Sequence, residues 1–213
     1  MIRVHHLNFS RSTRAIWLLE ELGQPYEIVA HTRNPETLRA PASLEAVHPL
    51  GKAPVVEVTI DGAVVRLAES GAMIEYLVAT YGADRLAPAQ GSAEWARYIE
   101  WLHYAEGSAM LPLLVHLLGG LTGGLSAGLS GFIAPDIDRT LRYIGAAVAA
   151  NGHLLASGFS GADVQMAYVI EMARMGKLTG GHPELEAYMT RLEARPAFKR
   201  AIERGGPMRL PLG

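Results

Sequence analysis

The stretch His48-Pro-Leu-Gly-Lys-Ala-Pro-Val-Val56 decides the fold, because two prolines and a glycine stand directly before a β-prone run. Pro54 opens that run, where a proline cannot donate a backbone hydrogen bond to the sheet. It is therefore a candidate cis-proline. A cis bond would turn the backbone N–H and C=O of Ala53 outward, where they can pair with an extended peptide ligand. The alternative interpretation is an ordinary loop between a helix and a strand.

The residues on either side of this stretch predict a small α/β domain. Those before it indicate a strand, a helix and a second strand, which fit a right-handed βαβ unit: 2–7, 10–23 and 25–31. A short helix is possible near Pro41. Those after it indicate a hairpin across Asp61-Gly62 and then a helix: 54–60, 63–67 and 69–81.

Beyond residue 92 the sequence shows no convincing strand pattern and predicts helices. We expect a domain at 1–81, a linker at 82–92 and an all-helical domain at 93–213. The first of its helices should run from 93 to 118 with a bend at Pro112. A glycine-rich loop with weak helical tendency follows at 119–131, and the remaining helices are expected at 135–150, 160–175, 183–194 and 196–204. Ser160 and Asp163 fit a capping box.

The composition excludes several classes of protein. A hydrophobic share of 49% in 213 residues is ample for a packed core. The formal net charge is −2 with scattered Lys and Arg, whereas binding of nucleic acid needs a concentrated basic face. The absence of cysteine excludes disulfides and a cysteine nucleophile. No stretch indicates a secretory leader or a membrane span, so we expect a cytoplasmic protein.

Two further segments have the chemistry of a ligand site. Glu69-Ser70 opens a predicted helix, whose N-terminus favours a carboxylate, and Glu69 can face an ammonium group. Ser10 and Ser12 follow the first strand, at the carboxyl edge of the sheet, where open α/β sheets usually bind ligands. In each case the alternative is that these residues only cap their helices.

Together the three segments resemble the thioredoxin-like domain of cytosolic glutathione transferases. That family has a Pro-x-Gly-Lys-x-Pro segment and a Glu/Gln-Ser pair, which here are Pro49-Leu-Gly-Lys-Ala-Pro54 and Glu69-Ser70. The run Ser10-Arg-Ser-Thr-Arg14 is similar to that of serine-type bacterial and fungal members. The resemblance covers nearly the whole chain and implies the glutathione transferase fold, a thioredoxin-like N-terminal domain followed by an all-α bundle.

The resemblance also implies a role for each matched position. Ser10 would donate a hydrogen bond to the sulfur of glutathione, and Lys52 would neutralise the glycine carboxylate. The backbone of Ala53, set by Pro54, would pair with the cysteinyl part. Glu69 and Ser70 would hold the γ-glutamyl end. Some relatives place an asparagine or threonine near the sulfur, so Asn8 and Ser12 remain alternatives to Ser10.

The electrophile should bind between the two domains, against the helix after the linker. Candidates for an apolar wall are Tyr104, Met110, Leu111 and Leu114, with packing in the core as the alternative fate. His103 and Glu106 lie one helical turn apart but lack the further ligands of a metal centre. His5 and His6 are adjacent on a strand and face opposite sides of the sheet, so they cannot share a metal. We expect no metal cofactor.

The leading hypothesis is an enzyme that activates the glutathione thiolate for attack on a hydrophobic electrophile or a peroxide, with glutathione as co-substrate. A non-catalytic glutathione-binding or regulatory module is the first alternative. A glutathione-dependent disulfide reductase or isomerase is the second. The resemblance further implies a homodimer and a role in detoxification, and we expect neither nucleic acid nor membrane as a partner.

Overall fold

The computed structural model describes residues 1–209, which form two compact units. The first unit consists of residues 1–83 together with 194–209, and the second of residues 84–193. The elements in chain order are β1 (Ile2–Leu7), α1 (Thr13–Leu22), β2 (Glu27–His31), α2 (Ala42–Glu45), β3 (Val55–Ile60), β4 (Ala63–Leu67), α3 (Ser70–Tyr81), α4 (Ala93–Tyr104), α5 (Met110–Leu121), α6 (Ala127–Asn151), α7 (Gly161–Met175), α8 (Pro183–Glu193) and α9 (Pro196–Gly205).

The first unit contains a four-stranded sheet with strand order β2-β1-β3-β4. β1 is parallel to β2, and β3 is antiparallel to β1 and β4. This is the mixed sheet of the predicted thioredoxin-like domain, and its β-α-β and β-β-α halves are confirmed. Asp61 and Gly62 at the hairpin have φ values of 49° and 80°, the left-handed pair that a tight hairpin turn requires.

Helix α9 packs against α1 in the first unit, which differs from the predicted assignment of residues 93–213 to one helical domain. Trp17 and Phe198 meet edge to face with ring centroids 5.0 Å apart. Arg195 Nε donates to Glu21 at 2.6 Å, with a second contact of 2.9 Å. Helical periodicity predicts α9 but not its partner, because an amphipathic helix can pack on any apolar face. Residues 210–213 of the predicted domain lie outside the described residues.

The predicted helix over 93–118 is interrupted by a π-helical turn. α4 ends at Tyr104, the π turn covers Ala105–Ala109, and α5 continues to Leu121. Pro112 has no N–H, and its ring conflicts with the carbonyl four residues earlier, at Ser108. That carbonyl belongs to the π turn, whose wider spacing accommodates the proline. The irregularity therefore lies before Pro112 and not at it.

The glycine-rich stretch 119–131 is helical over most of its length, which corrects the prediction of a loop. α5 extends to Leu121, and α6 begins at Ala127. Ser126 caps α6 by accepting a hydrogen bond from the Leu129 N–H at 3.3 Å. Leu125 packs so closely on Gly119 that an added Cβ would lie 2.3 Å from its Cγ. This contact explains why a glycine with low helix propensity stands inside α5.

Helix α7 forms the centre of the second unit and begins at the predicted capping box. Ser160 Oγ accepts from the Ala162 N–H at 3.2 Å, and the Asp163 carboxylate accepts from the Ser160 N–H at 2.8 Å. Residues 161–173 of α7 are all buried. Over residues 1–209, no helix combines the length and the apolar character needed to cross a membrane.

Candidate functional site

The cis-proline is confirmed and lies beside the end of β1. The Ala53–Pro54 peptide bond is cis. His5 of β1 pairs with Val55 of β3, so the antiparallel register brings the carboxyl end of β1 next to Pro54. Gly51 has a φ of 57°, which favours glycine at the turn before the proline. Ala53 is partly exposed, and Lys52 is exposed. The backbone of Ala53 and the ammonium group of Lys52 are thus placed at one edge of the sheet.

A buried arginine connects the start of α3 to the same edge of the sheet by a hydrogen bond. Ser70 is the first residue of α3 and is 4% exposed, while Glu69 is the N-cap and is exposed. Arg14 Nη1 of α1 donates to Ser70 Oγ at 3.1 Å. Because a guanidinium can only donate, the Ser70 hydroxyl is the acceptor in this bond. The Glu69 side chain makes no capping bond to α3.

Arg14 is a residue that sequence reasoning missed. It is fully buried in the first turn of α1 and thereby links the Ser10 segment to the start of α3. The sequence did contain a signal, because Arg14 stands directly before the apolar residues Ala15 and Ile16 that face the core. An arginine buried at that position needs a partner, since arginine is almost never fully buried unless it is paired.

The two candidate serines share one buried hydrogen-bond network between β1 and α1. Ser10 Oγ donates to the Leu7 carbonyl at 2.7 Å and lies 2.7 Å from Ser12 Oγ. Ser10 Oγ also accepts from the Ser12 N–H at 3.1 Å, which fixes the turn before α1. Ser10 is 4% exposed and Ser12 is not exposed at all. Of the two residues, only Ser10 has any exposed surface.

Ser12 is the N-cap residue of α1, but its side chain does not cap the helix. Its hydroxyl lies 2.8 Å from His6 Nδ1 and accepts from the Leu7 N–H at 3.1 Å. Sequence reasoning considered His6 only as a metal ligand and missed this contact. A strand residue and a residue beyond the following turn meet through the tertiary fold, and no local pattern signals that pair.

Asn8 is hydrogen-bonded to Arg33 in the loop after β2. Its Oδ1 accepts from the Arg33 N–H at 2.9 Å, and its carbonyl accepts from Arg33 Nε at 3.1 Å. Phe9 next to it has a φ of 53°, a left-handed conformation that is unusual for an aromatic residue. Backbone strain of this kind concentrates at functional sites. It turns the chain sharply so that Ser10 follows directly after the end of β1.

The opposite face of β1 carries a separate polar cluster. His5 Nδ1 lies 3.2 Å from His31 Nε2, and its Nε2 lies 3.6 Å from Glu57. Burial lowers the pKa of His5 and of His31, although the carboxylate of Glu57 opposes the shift at His5. The prediction that His5 and His6 face opposite sides of the sheet is confirmed. Within residues 1–209, no group of three or more His, Asp or Glu side chains is arranged to hold a metal.

The predicted electrophile-wall residues have unequal exposure in the second unit. Met110 is 2% exposed and belongs to the core of the unit, while Leu111 is 63% exposed. Leu114 is half-buried one turn further along α5. The Tyr104 hydroxyl donates to Thr140 Oγ1 at 3.3 Å. Leu111, Leu114 and Tyr104 therefore retain surface, whereas Met110 can meet a ligand only after repacking.

A cavity of about 320 Å³ lies within the second unit, between α5, α6 and the turn before α8. It includes none of the predicted wall residues. Its lining consists of His116, Ser130, Ile133, Ala134, Ile137, Asp138, Leu141, Leu178 and His182. His103 and Glu106, weighed above as a metal pair, are not part of this lining.

Comparisons with known proteins agree with this architecture. The sequence model described as "Glutathione S-transferase, N-terminal domain" matches residues 9–80. Glutathione S-transferase 3 of Schizosaccharomyces pombe is 32% identical over 96% of this chain and 88% of its own length. Glutathione S-transferase 1 of Saccharomyces cerevisiae is 25% identical over 96% of this chain and 95% of its own length.

Solved structures show the same fold. A glutathione S-transferase from Actinobacillus pleuropneumoniae superposes with a TM-score of 0.86 at 28% identity, covering 96% of this chain and 93% of that one. A glutathione transferase family member from Pseudomonas fluorescens, solved with two glutathione bound, superposes with a TM-score of 0.80 at 22% identity. The coverage in that pair is 95% of this chain and 92% of the other.

Proposed function

Because the chain belongs to the glutathione S-transferase family, we propose that it binds glutathione in the first unit and activates the thiol for attack on a hydrophobic electrophile or a peroxide. The single observation behind this proposal is the convergence of three segments at one edge of the sheet. These segments are the turn with Ser10, the cis-proline Pro54 and the start of α3 at Ser70.

Each end of glutathione has a matching group at that edge. The γ-glutamyl carboxylate is held by the Ser70 hydroxyl and the N-terminus of α3, where the helix carries a positive partial charge. Glu69, exposed beside it, pairs with the ammonium group. The backbone of Ala53 pairs with the cysteinyl unit, and Lys52 neutralises the glycine carboxylate.

Ser10 then meets the sulfur. A free thiol has a pKa of about 8.5, so little of it is ionised at neutral pH. A hydroxyl donor and the N-terminus of α1 both favour the thiolate, and each unit by which the pKa falls corresponds to about 1.4 kcal/mol. The thiolate is the nucleophile that attacks the electrophile.

The test is a pH titration of thiolate absorbance in the complex with glutathione, for the wild type and for Ser10→Ala. We expect the bound thiol to ionise below its solution pKa and the variant to lose most of that shift. Ser92→Ala, which alters the N-cap of α4 in the other unit, is the matched control. An unshifted thiol in the wild-type complex would contradict the proposal.

One observation favours a second candidate, a glutathione-binding module without catalysis. The Ser10 hydroxyl already has two partners at 2.7 Å, the Leu7 carbonyl and Ser12 Oγ, and Ser10 is 4% exposed. A hydroxyl engaged in this way has to turn outward to serve a thiolate. Binding of glutathione with no change in the thiol pKa would identify this candidate.

The remaining functional assignments rest on the family. We propose a cytoplasmic homodimer with a role in detoxification, with peroxide or disulfide reduction as side activities that use glutathione alone, since the chain has no cysteine. Light scattering tests the dimer, and a monomeric mass at micromolar concentration would refute it. Assays with a hydroperoxide and with a mixed disulfide of glutathione test the side activities.

A further inference from the structure

His6 is a buried titratable side chain to which the proposed function gives no role. It is 5% exposed and lies on β1, on the face that packs against α1 and α9. Its Nδ1 is 2.8 Å from Ser12 Oγ, and Ser12 Oγ is 2.7 Å from Ser10 Oγ. These distances make one continuous chain of hydrogen bonds from the imidazole to the hydroxyl proposed to meet the thiol.

The other ring nitrogen of His6, Nε2, lies beside Gly205. The backbone of Gly205 acts to raise the pKa of His6, which is the effect of a carbonyl acceptor. Gly205 is the last residue of α9, where a helix leaves carbonyls without partners of its own. With Nε2 as the donor to this carbonyl, Nδ1 of the neutral ring is an acceptor. The Ser12 hydroxyl, which also lies 3.1 Å from the Leu7 carbonyl, then donates to His6 at the shorter distance of 2.8 Å.

Gly205 is closely approached by the side chains of Ile16 and His6. A Cβ added there would lie 2.6 Å from Ile16 Cδ1 and 3.4 Å from His6 Cε1. A larger residue would require the Ile16 methyl group to move. Glycine thus leaves room for the end of α9 beside the imidazole.

We propose that His6 is the proton acceptor for the glutathione thiol, acting through Ser12 and Ser10. The S–H bond breaks and its proton goes to Ser10 Oγ. The Ser10 hydroxyl turns its own proton from the Leu7 carbonyl to Ser12 Oγ and passes it there, and the proton of Ser12 moves to His6 Nδ1. Each hydroxyl gains one proton and loses one, and the products are a thiolate and an imidazolium. This proposal rests on the proposed function, since it requires glutathione at Ser10.

The transfer reverses every hydrogen bond in the chain without moving a heavy atom. Afterwards His6 donates to Ser12, Ser12 donates to Ser10, and Ser10 donates to the thiolate. The Ser10 hydroxyl thereby reaches the donor role that thiolate stabilisation requires. The same chain explains why a serine that is the N-cap of α1 turns its hydroxyl away from the helix.

The surroundings of His6 suit an acceptor that is neutral before the thiol arrives. Burial lowers the pKa of His6, and the charge of His31 on β2 lowers it further, while the Gly205 carbonyl opposes both. α1 presents the neutral hydroxyl of Ser12, and α9 presents the backbone of Gly205. Among residues 1–209, His31 is the titratable side chain whose positive charge, when it is protonated, acts on the pKa of His6. His6 and Ser12 are thus positioning residues, and Ser10 is the group that touches the thiol.

The first test compares the thiol pKa of bound glutathione in the wild type and in His6→Asn. Asparagine can accept from Ser12 at the place of Nδ1 but cannot take up a proton. We expect the thiolate fraction at neutral pH to fall about tenfold, which is one pKa unit, with the affinity for glutathione within about twofold. The matched control is His5→Asn, the neighbouring histidine on the other face of β1, which should leave the thiol pKa unchanged.

The second test uses the wild type, so it does not depend on the folding of a variant. The protonation of His6 is followed by nitrogen NMR of the imidazole on addition of glutathione or of S-methylglutathione, which has no thiol proton. We expect His6 to become protonated with glutathione only. A neutral His6 in both complexes would overturn the proposal, as would an unchanged thiol pKa in His6→Asn.

These outcomes separate the two proposals. If glutathione binds with a lowered thiol pKa that does not depend on His6, the proposed function stands and the role of His6 is refuted. If glutathione does not bind to the wild type, or binds with an unshifted thiol, both are refuted.

Discussion

Serine is the N-cap residue of α1 and of α7, and the two helices use it in opposite ways. At α7, Ser160 Oγ accepts from the Ala162 N–H at 3.2 Å, and Asp163 accepts from the Ser160 N–H, which closes a capping box. At α1, Ser12 is also the N-cap, but its hydroxyl makes no bond to its own helix and instead reaches His6 at 2.8 Å.

The comparison teaches that a helix start stabilises the fold when its polar groups hydrogen-bond to one another. When they do not, they are available to bind a ligand. Asp163 has four buried contacts, which include the Tyr188 hydroxyl at 2.7 Å and the Leu154 N–H at 3.1 Å. Burial, followed by the nearby Asp163 charge, raises the pKa of Tyr188 and keeps it a donor. The hydrogen bonds around Asp163 join groups within the protein, whereas those around Ser12 lead to Ser10, the residue proposed to meet the thiol.

The largest effect is expected from removing the centre of the α7 cluster. Asp163→Ala leaves the donors of Ser160, Leu154 and Tyr188 buried without an acceptor, so we expect the free energy of unfolding to fall by about 3–5 kcal/mol. Urea unfolding measures it. The ionisation of the bound thiol in the molecules that remain folded should not change. A fall in the free energy of unfolding below about 1 kcal/mol would show that the cluster around Asp163 does not stabilise the fold.

The next effect should be seen mainly in catalysis. Ser10→Ala removes the hydroxyl that faces the thiolate, so we expect kcat/KM for a hydrophobic electrophile to fall about 100-fold, or about 2.7 kcal/mol. The variant also leaves the buried Ser12 N–H without this acceptor, so the free energy of unfolding should fall by about 1–3 kcal/mol. Ser160→Ala serves as the control with unchanged kcat/KM, and equal activity of both variants would remove the distinction between the two helix starts.

A smaller effect is expected from the cap alone. Ser160→Ala removes one capping acceptor from α7 while Asp163 keeps its other partners, so the free energy of unfolding should fall by about 1 kcal/mol. The titration of bound glutathione should match that of the wild type. A shifted thiol pKa in this variant would mean that the two helix starts are coupled.

The smallest effect is expected from a change of pH between 6.5 and 5.5. Burial lowers the pKa of His5, His6 and His31, so the unfolded chain binds protons that the folded chain excludes. Their contribution to stability is full above the ordinary histidine pKa of about 6.5 and is lost as the pH falls below it. Urea midpoints should therefore decline on acidification. His6→Asn should show a weaker decline, and a rise in stability at the lower pH would contradict the sign.

The first unit could be predicted closely because its signals are local. The Asp61-Gly62 turn needs two left-handed residues, Gly23 ends α1 with a φ of 68°, and Pro54 cannot donate to a sheet. The capping box of Ser160 and Asp163 is local in the same sense, since its partners lie three residues apart. Such patterns depend on the backbone preferences of a few neighbouring residues, which the sequence states directly.

The helical unit was predicted less well because tertiary packing overrides weak propensities. The glycines of 119–131 disfavour a helix, yet Leu125 against Gly119 and the cap at Ser126 stabilise α5 and α6 around them. The effect of Pro112 appears in the π turn before it, because a proline conflicts with the carbonyl of the preceding turn.

The sequence by itself determined the order of strands and helices, the cis-proline and the family to which the chain belongs, because each depends on residues that are close together along the chain. Only the tertiary structure placed α9 on α1, set Arg14 against Ser70 and brought His6 to Ser12 and Gly205. The physical reason is that buried polar side chains take whatever partner the packed fold offers within hydrogen-bond reach. That partner lies 56 residues away for Arg14 and 6 for Ser12.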